Sequence, residues 1–117
     1  MAVTQVFAGI PVADYEPARA WYELLFGRPP DVIAHATEVL WQGEGAGWIY
    51  VVGDAERAGR ALVMLMVDDL DARVEALAER GLEPDEWENV PGTYRKAIFS
   101  DPEGNQISFG QLAGDGG

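Results

Sequence analysis

The stretch Phe99–Asn105, which reads Phe-Ser-Asp-Pro-Glu-Gly-Asn, decides the fold of this chain. Its last five residues have the composition of a tight turn, because proline presets φ while glycine and asparagine tolerate positive φ. Apolar alternating residues flank it on both sides, which predicts strands over about 93–99 and 105–111. Such a turn is common by itself, so its weight comes from its place at the end of a repeated pattern.

The segment before this turn reads as strand, helix and further strands. Residues 60–67 (RALVMLMV) form an apolar run typical of a strand. Asp68 or Asp69 then follows as a helix N-cap, and an apolar stripe continues until Gly81 ends the helix. A strand over about 82–87 completes the series that leads into the turn.

The first half of the chain repeats this order. Thr4–Val12 is an apolar run that predicts a strand, and Asp14 stands where a helix N-cap is expected. An amphipathic stripe follows, which ends at Gly27 and consists of Ala18, Trp21, Leu24 and Leu25. Three short strands are predicted at about 31–34, 37–42 and 47–52.

The two halves match in the residues that begin and end their helices. Val12-Ala13-Asp14 corresponds to Val67-Asp68-Asp69 at an offset of 55 positions, and Gly27 corresponds to Gly81 at an offset of 54. The sequence therefore predicts an α+β fold of two tandem βαβββ modules. We expect one domain over 1–112, with module one at about 4–54, module two at about 60–111 and a disordered tail over 113–117.

Charge and composition exclude several function classes. The 117 residues include 20 Asp plus Glu against 8 Lys plus Arg, and the net charge of −12 would be repelled by nucleic acid. No apolar run approaches the roughly 20 residues that cross a bilayer. Since Cys is absent and the chain starts without a basic export signal, we expect a cytoplasmic protein. Acidic residues concentrate at 68–71 and 83–88, as a solvated surface or as a rim that attracts a cationic ligand.

Four motifs together resemble a known family. They are the segment 9–14 (GIPVAD), the segment 20–22 (AWY), the helix start 67–70 (VDDL) and the Phe99–Asn105 turn. In this order they resemble the glyoxalase/bleomycin resistance/dioxygenase family, the vicinal oxygen chelate superfamily, over about residues 4–111. The resemblance implies curled mixed sheets around a concave cavity, with the helices outside, in a homodimer.

The family's metal-dependent members carry one His, Gln or Glu in each of four strands. The resemblance places those positions at Phe7, Tyr50, Leu62 and Ser108. Phe and Leu have no donor atoms, and a hydroxyl is a poor substitute for imidazole or carboxylate. We therefore expect no metal and no other cofactor.

Strand alternation predicts what lines the cavity. Side chains two apart share a face, so Phe7 faces away from the helix side in the first strand, as do Leu62 and Met64 in the repeat. The expected ligand-binding residues are Phe7, Trp41, Trp48, Tyr50, Leu62, Met64, Arg95 and Ser108. The alternative is that the aromatic residues simply fill a closed core.

Three residues are candidates for catalysis. His35 is the only imidazole, and Glu38 and Tyr50 could also act on a proton. A lone His beside a turn is more often structural, so these residues are weak candidates.

The sequence favours a metal-free protein of the bleomycin-resistance type, which sequesters a planar apolar or cationic small molecule. The alternative function is an enzyme of the glyoxalase or dioxygenase type, a lyase, isomerase or oxygenase acting on a small molecule. A third possibility is an interaction module with a filled cavity.

Overall fold

The computed structural model describes residues 2–43, 45 and 47–114, which form two helices and eight strands. The two βαβββ modules predicted from the repeat are present. Module one contains β1 (Val6–Val12), α1 (Tyr15–Phe26), β2 (Val32–His35), β3 (Glu38–Gln42) and β4 (Gly47–Gly53). Module two contains β5 (Leu62–Met66), α2 (Leu70–Glu79), β6 (Glu86–Val90), β7 (Tyr94–Ser100) and β8 (Gln106–Leu112).

Each module forms one four-stranded mixed sheet. The first sheet has the order β1-β4-β3-β2 and the second has the order β5-β8-β7-β6, so the opening strand lies at one edge of each. In both sheets the opening strand pairs parallel with the closing strand, and the other pairs are antiparallel. No strand pair joins the two sheets among the described residues, and the sheets do not close into a barrel.

The helices cover one face of each sheet, here called the inner face; the opposite side is the outer face. Ile10 and Val12 of β1, with Val51 of β4, lie fully buried on the inner face of the first sheet. Ile107 and Phe109 occupy the matching face of the second sheet. These residues belong to a single hydrophobic cluster, so both modules share one core. The alternation predicted along the opening strands agrees with this, since Phe7, Leu62 and Met64 are exposed on the opposite face.

The buried side of α1 differs by one position from the predicted stripe. Tyr22 and Leu25 are fully buried, whereas Leu24 is exposed and Trp21 is only partly buried. The helix ends at Gly27 as predicted, with the left-handed φ of 73° that glycine adopts without a steric penalty.

The N-terminus of α1 is bound by the other module. The side chain of Asp14 makes no capping hydrogen bond. Instead, the carboxylate of Glu103 accepts hydrogen bonds from the backbone N–H of Ala13 at 2.6 Å and of Asp14 at 2.8 Å. Negative charge is favoured at a helix N-terminus, so Glu103 supplies the interaction that Asp14 was predicted to supply. In α2, Asp69 caps its own helix by accepting from the N–H of Ala72.

The Asp101–Asn105 turn forms the junction between the modules. Asn105, which is fully buried, donates through Nδ2 to the carbonyl of Pro11 at 3.0 Å and accepts through Oδ1 from the N–H of Ala61 at 2.8 Å. Asp101 accepts from Nδ2 of Asn105 and from the hydroxyl of Tyr22, each at 2.8 Å. Burial, reinforced by the charge of Asp101 and this hydrogen bond, raises the pKa of Tyr22. The turn therefore connects β1, α1 and the inter-module linker.

One strand is displaced by several residues from its predicted position. The strand expected at 82–87 begins instead at Glu86 and runs to Val90. Of the predicted tail, Ala113 and Gly114 form a turn in which the N–H of Ala113 bonds to the carbonyl of Thr93 at 2.9 Å, while residues 115–117 lie outside the described residues. Neither described helix is long and apolar enough to cross a membrane.

Candidate functional site

The outer face of the first sheet presents a stacked aromatic pair, in which Phe7 is exposed and Trp48 is partly buried. Phe7 of β1 and Trp48 of β4 are register partners, and their rings stack with centroids 5.5 Å apart and an interplanar angle of 15°. Nε1 of Trp48 donates a hydrogen bond to Oε1 of Gln5, which orients the indole. Phe7 is 50% exposed, so the pair offers an apolar surface on which another flat ring could stack.

A cleft lies beside this pair on the same face. The next register pair is Gly9 with Tyr50, and the ring of Tyr50 lies over the backbone of Gly9. The cleft has a volume of about 190 Å³ and is lined by Gly9, Pro11, Tyr50, Val52, Asp54 and Arg57. Asp54 and Arg57 form an ion pair at 3.4 Å, which places charge at one end of an otherwise apolar wall.

The outer face of the second sheet is also apolar, but its side chains are flexible. Leu62, Met64 and Met66 alternate along β5 and are 80%, 45% and 44% exposed. Ser108 pairs with Met64 and is itself buried. Thioether side chains adapt their shape, so a surface of this composition is suited to apolar partners of different shapes.

Polar residues follow at the far edge of the second outer face. Glu88 of β6 accepts a hydrogen bond from the hydroxyl of Tyr94 at 2.5 Å and lies 3.8 Å from Nζ of Lys96. The hydrogen bond to Glu88 raises the pKa of the Tyr94 phenol. Glu86, two residues before Glu88, shares its side of the strand. Part of the acidic 83–88 segment therefore belongs to the sheet rather than to a solvated loop.

Two predicted ligand-binding residues lie on the inner face instead. Trp41 pairs with Ile49, is 2% exposed, packs against Phe26 and donates through Nε1 to the carbonyl of Arg28 at 3.1 Å. It is a core residue, because β3 turns Val39 and Trp41 inward together. The expectation that Trp41 lines the cavity is wrong.

Arg95 likewise points toward the helix side of its sheet. Its guanidinium bonds to Asp71 of α2 and lies 5.7 Å from the ring centroid of Trp87. The neighbouring Lys96 is the cation on the outer face, because adjacent strand residues face opposite ways. Arg95, one of the expected ligand-binding residues, therefore does not lie on the outer face with Phe7, Tyr50, Leu62 and Met64.

Two of the three catalytic candidates, His35 and Glu38, are in contact, and Tyr50 lies on the same sheet. Nε2 of His35 lies 3.2 Å from Oε1 of Glu38 at the exposed β2–β3 turn, and Nδ1 accepts from the N–H of Thr37 at 3.3 Å. Tyr50 pairs with Leu40, two residues along from Glu38, so Glu38 and Tyr50 share the outer face. The contact between His35 and Glu38 lies at the surface, so it also fits a purely structural role.

The residues at the family's metal positions do not fit a metal ion. Phe7 and Tyr50 lie on the first outer face, and Leu62 and Ser108 lie on the second. Together they offer two hydroxyls and no carboxylate, imidazole or thiolate, which is a donor set too poor for a divalent metal. Elsewhere in the described part of the chain, no three His, Cys, Asp or Glu side chains gather into a possible metal site.

Sequence reasoning missed three features of these faces. Gln5 anchors Trp48, Gly9 lies under Tyr50, and Met66 lies over Gly110 with Sδ 3.1 Å from where a Cβ on that glycine would stand. A small residue in the middle of each apolar strand was the available signal, since glycine in a strand marks a close approach of another group.

Comparison with known proteins agrees with this architecture. A family model described as the Glyoxalase/Bleomycin resistance protein/Dioxygenase superfamily matches residues 4–109. A glyoxalase/bleomycin resistance protein from Catenulispora acidiphila DSM 44928 is 39% identical, with a TM-score of 0.88 over 93% of this chain and 98% of the other. A search of curated proteins found no match.

Two further solved structures carry different functional names. An antibiotic binding protein from Streptomyces sp. CB03234 is 29% identical, with a TM-score of 0.73 over 97% of this chain and 99% of the other. A lactoylglutathione lyase from Agrobacterium tumefaciens is 16% identical, with a TM-score of 0.74 over 91% of each chain, and shares the fold. From the family match and the 39% identical structure, this chain belongs to the glyoxalase/bleomycin resistance protein/dioxygenase superfamily.

Proposed function

We propose that this protein binds and sequesters a planar, largely apolar small molecule without a metal ion. The observation that carries the proposal is the Phe7–Trp48 stack, in which Phe7 is exposed and Trp48 is partly buried, beside a cleft on the outer face of the first sheet. Exposed aromatic surface of this kind marks a binding site, because burying it against a flat ligand gains both apolar area and stacking.

The donor chemistry of the face supports binding rather than the family's metal-assisted chemistry. Phe7, Tyr50, Leu62 and Ser108 stand where metal ligands would be required. Three of these four side chains instead present aromatic or aliphatic surface, which suits an apolar ligand. The antibiotic binding protein from Streptomyces, at 29% identity, supports the same class of function.

A homodimer belongs to this proposal. Leu62 and Met64 on the second outer face, and Phe7 on the first, are too exposed to form a closed pocket within one chain. A second copy that placed its second sheet opposite the first sheet of this chain would cover both surfaces and enclose the ligand.

Charge adds a preference among planar ligands. The net charge of −12 attracts cations over long range, and Glu86 and Glu88 lie on an outer face. We therefore propose a cationic ligand over an anionic one of the same shape, with a difference that shrinks as salt screens the field.

The test is calorimetric titration of chelator-treated protein with two tricyclic probes, the cation proflavine and the anion acridine-9-carboxylate. Saturable binding that favours proflavine is expected. Trp48→Leu should weaken binding about tenfold or more, because stacking on the indole and its apolar contact are lost. Trp87→Leu is the matched control, since Trp87 is more exposed than Trp48 but lies beside Arg95 on the inner face of the second sheet. Equal weakening by both variants, or no binding by the wild type, contradicts the proposal.

A further inference from the structure

On the outer face of the first sheet, the ring of Tyr50 lies directly over Gly9. A Cβ built on Gly9 would lie 2.5 Å from the hydroxyl oxygen of Tyr50 and 2.8 Å from its Cε2. Real Cβ atoms are essentially never found this close to another heavy atom, so the ring keeps its position only while residue 9 has no side chain.

Gly9 is not required for backbone reasons. Its φ lies outside the left-handed region, and β1 is extended through it from Val6 to Val12. Alanine fits that backbone without strain, so a substitution at Gly9 acts through the space above the residue rather than through the conformation of the strand.

The space above Gly9 matters because the cleft adjoins it. Gly9 and Tyr50 are both lining residues, and the other apolar walls are Pro11 and Val52, the next register pair. When the phenol lies down over β1, the cleft stays open above it. A ring lifted by a side chain at residue 9 moves into the volume that a ligand would occupy.

We infer that Gly9 is a specificity-determining residue of the cleft, which sets its depth by letting Tyr50 lie over β1. The inference rests on the proposed function, because it assigns the cleft to the same small-molecule ligand. Gly9 acts through Tyr50 and is a positioning residue; Tyr50 is the side chain that contacts the ligand.

The second sheet offers an internal comparison. Gly110 is covered by Met66 and Met64, whose sulfur atoms lie 3.1 and 3.4 Å from the position of an added Cβ. A thioether moves aside more easily than a phenol ring, because it turns about more bonds and has no rigid plane. A methyl group on Gly110 is therefore accommodated by movement of the methionine side chains, whereas a methyl group on Gly9 must displace the ring of Tyr50.

The experiment compares Gly9→Ala with Gly47→Ala. Gly47 is also in an extended strand of the same sheet, and a Cβ added there meets nothing within 4 Å. Proflavine affinity, measured by calorimetry, should fall at least tenfold in Gly9→Ala and change less than twofold in Gly47→Ala. In a Tyr50→Ser background, Gly9→Ala should change the affinity less than twofold, because no ring remains to be displaced. An undiminished effect in that background overturns the inference.

A crystal structure of Gly9→Ala without ligand provides a second readout. The phenol of Tyr50 should be rotated away from β1 into the cleft, and a ring that stays in place overturns the inference whatever the probe does. Failure of the wild type to bind either tricyclic probe contradicts the proposed function instead, and the ring position still decides the role of Gly9.

Discussion

Replacing Asn105 with alanine tests the junction between the modules. Its side chain makes three hydrogen bonds, to Pro11 in module one, to Ala61 in the linker and to Asp101 in the turn, and the residue is fully buried. Removing it leaves a carbonyl, an N–H and part of a carboxylate without these partners. A buried group that loses its partner costs about 1–3 kcal/mol.

The three losses are not independent, because water can enter the space that the side chain leaves. We therefore expect Asn105→Ala to lower the free energy of unfolding by about 3–5 kcal/mol. This value lies in the lower part of the range obtained by adding the three separate losses. For a domain of this size the midpoint of thermal unfolding should fall by about 10–20 °C.

The assay is urea and thermal unfolding followed by circular dichroism. Asn89→Ala is the matched control, since Asn89 is exposed on the edge strand β6, and it should change stability by less than about 0.5 kcal/mol. Asn105→Asp keeps the shape but places a second carboxylate beside Asp101, so it should be more destabilising at pH 7 than at pH 4. A loss below about 1 kcal/mol in Asn105→Ala refutes the view that the turn holds the modules together.

Three other predictions concern the helix cap, the buried phenol and the outer face. Glu103→Ala should cost about 1–2 kcal/mol of unfolding free energy, because α1 loses its anionic partner, while Glu83→Ala should cost almost nothing; equal losses would contradict the cap. The raised pKa of Tyr22 means that its stabilisation is complete below about pH 10 and is lost as the pH rises further, a loss that unfolding of Tyr22→Phe should not show. Leu62→Glu should shift the sedimentation of a dimer toward a monomer and Ile33→Glu should not, because only Leu62 is on the proposed dimer face; a monomeric wild type would refute that face.

Much of the fold could be predicted because it depends on local patterns. The apolar alternation of β1 and β5, the capping Asp69 and the terminating Gly27 are each specified by neighbouring residues. The match of helix starts and ends between the two halves then indicated the repeat.

In the strands at the middle of each sheet, it was harder to predict which side chains face the core, because the alternating pattern there is short. In β3 the row Glu38, Leu40 and Gln42 alternates with Val39 and Trp41, and this pattern does indicate that Trp41 is buried. The size of an indole and its value for stacking favoured the opposite interpretation. In β7 both alternating rows contain a basic residue, so nothing local separates Arg95 from Lys96.

The remaining features depend on contacts between distant residues. Tyr22 and Asp101 are 79 residues apart, and Glu103 lies 89 residues from Asp14. The position of Tyr50 over Gly9 requires the parallel register of β1 with β4, which a single sequence does not specify.

We propose above all that the first sheet binds a planar ligand through aromatic stacking and without a metal ion. The most direct measurement is calorimetric titration of chelator-treated wild type, Trp48→Leu and Trp87→Leu with proflavine, repeated after addition of Zn²⁺. We expect saturable binding that Zn²⁺ leaves unchanged, that Trp87→Leu retains and that Trp48→Leu weakens about tenfold or more. Binding that requires Zn²⁺, or that is indifferent to Trp48, would contradict this proposal.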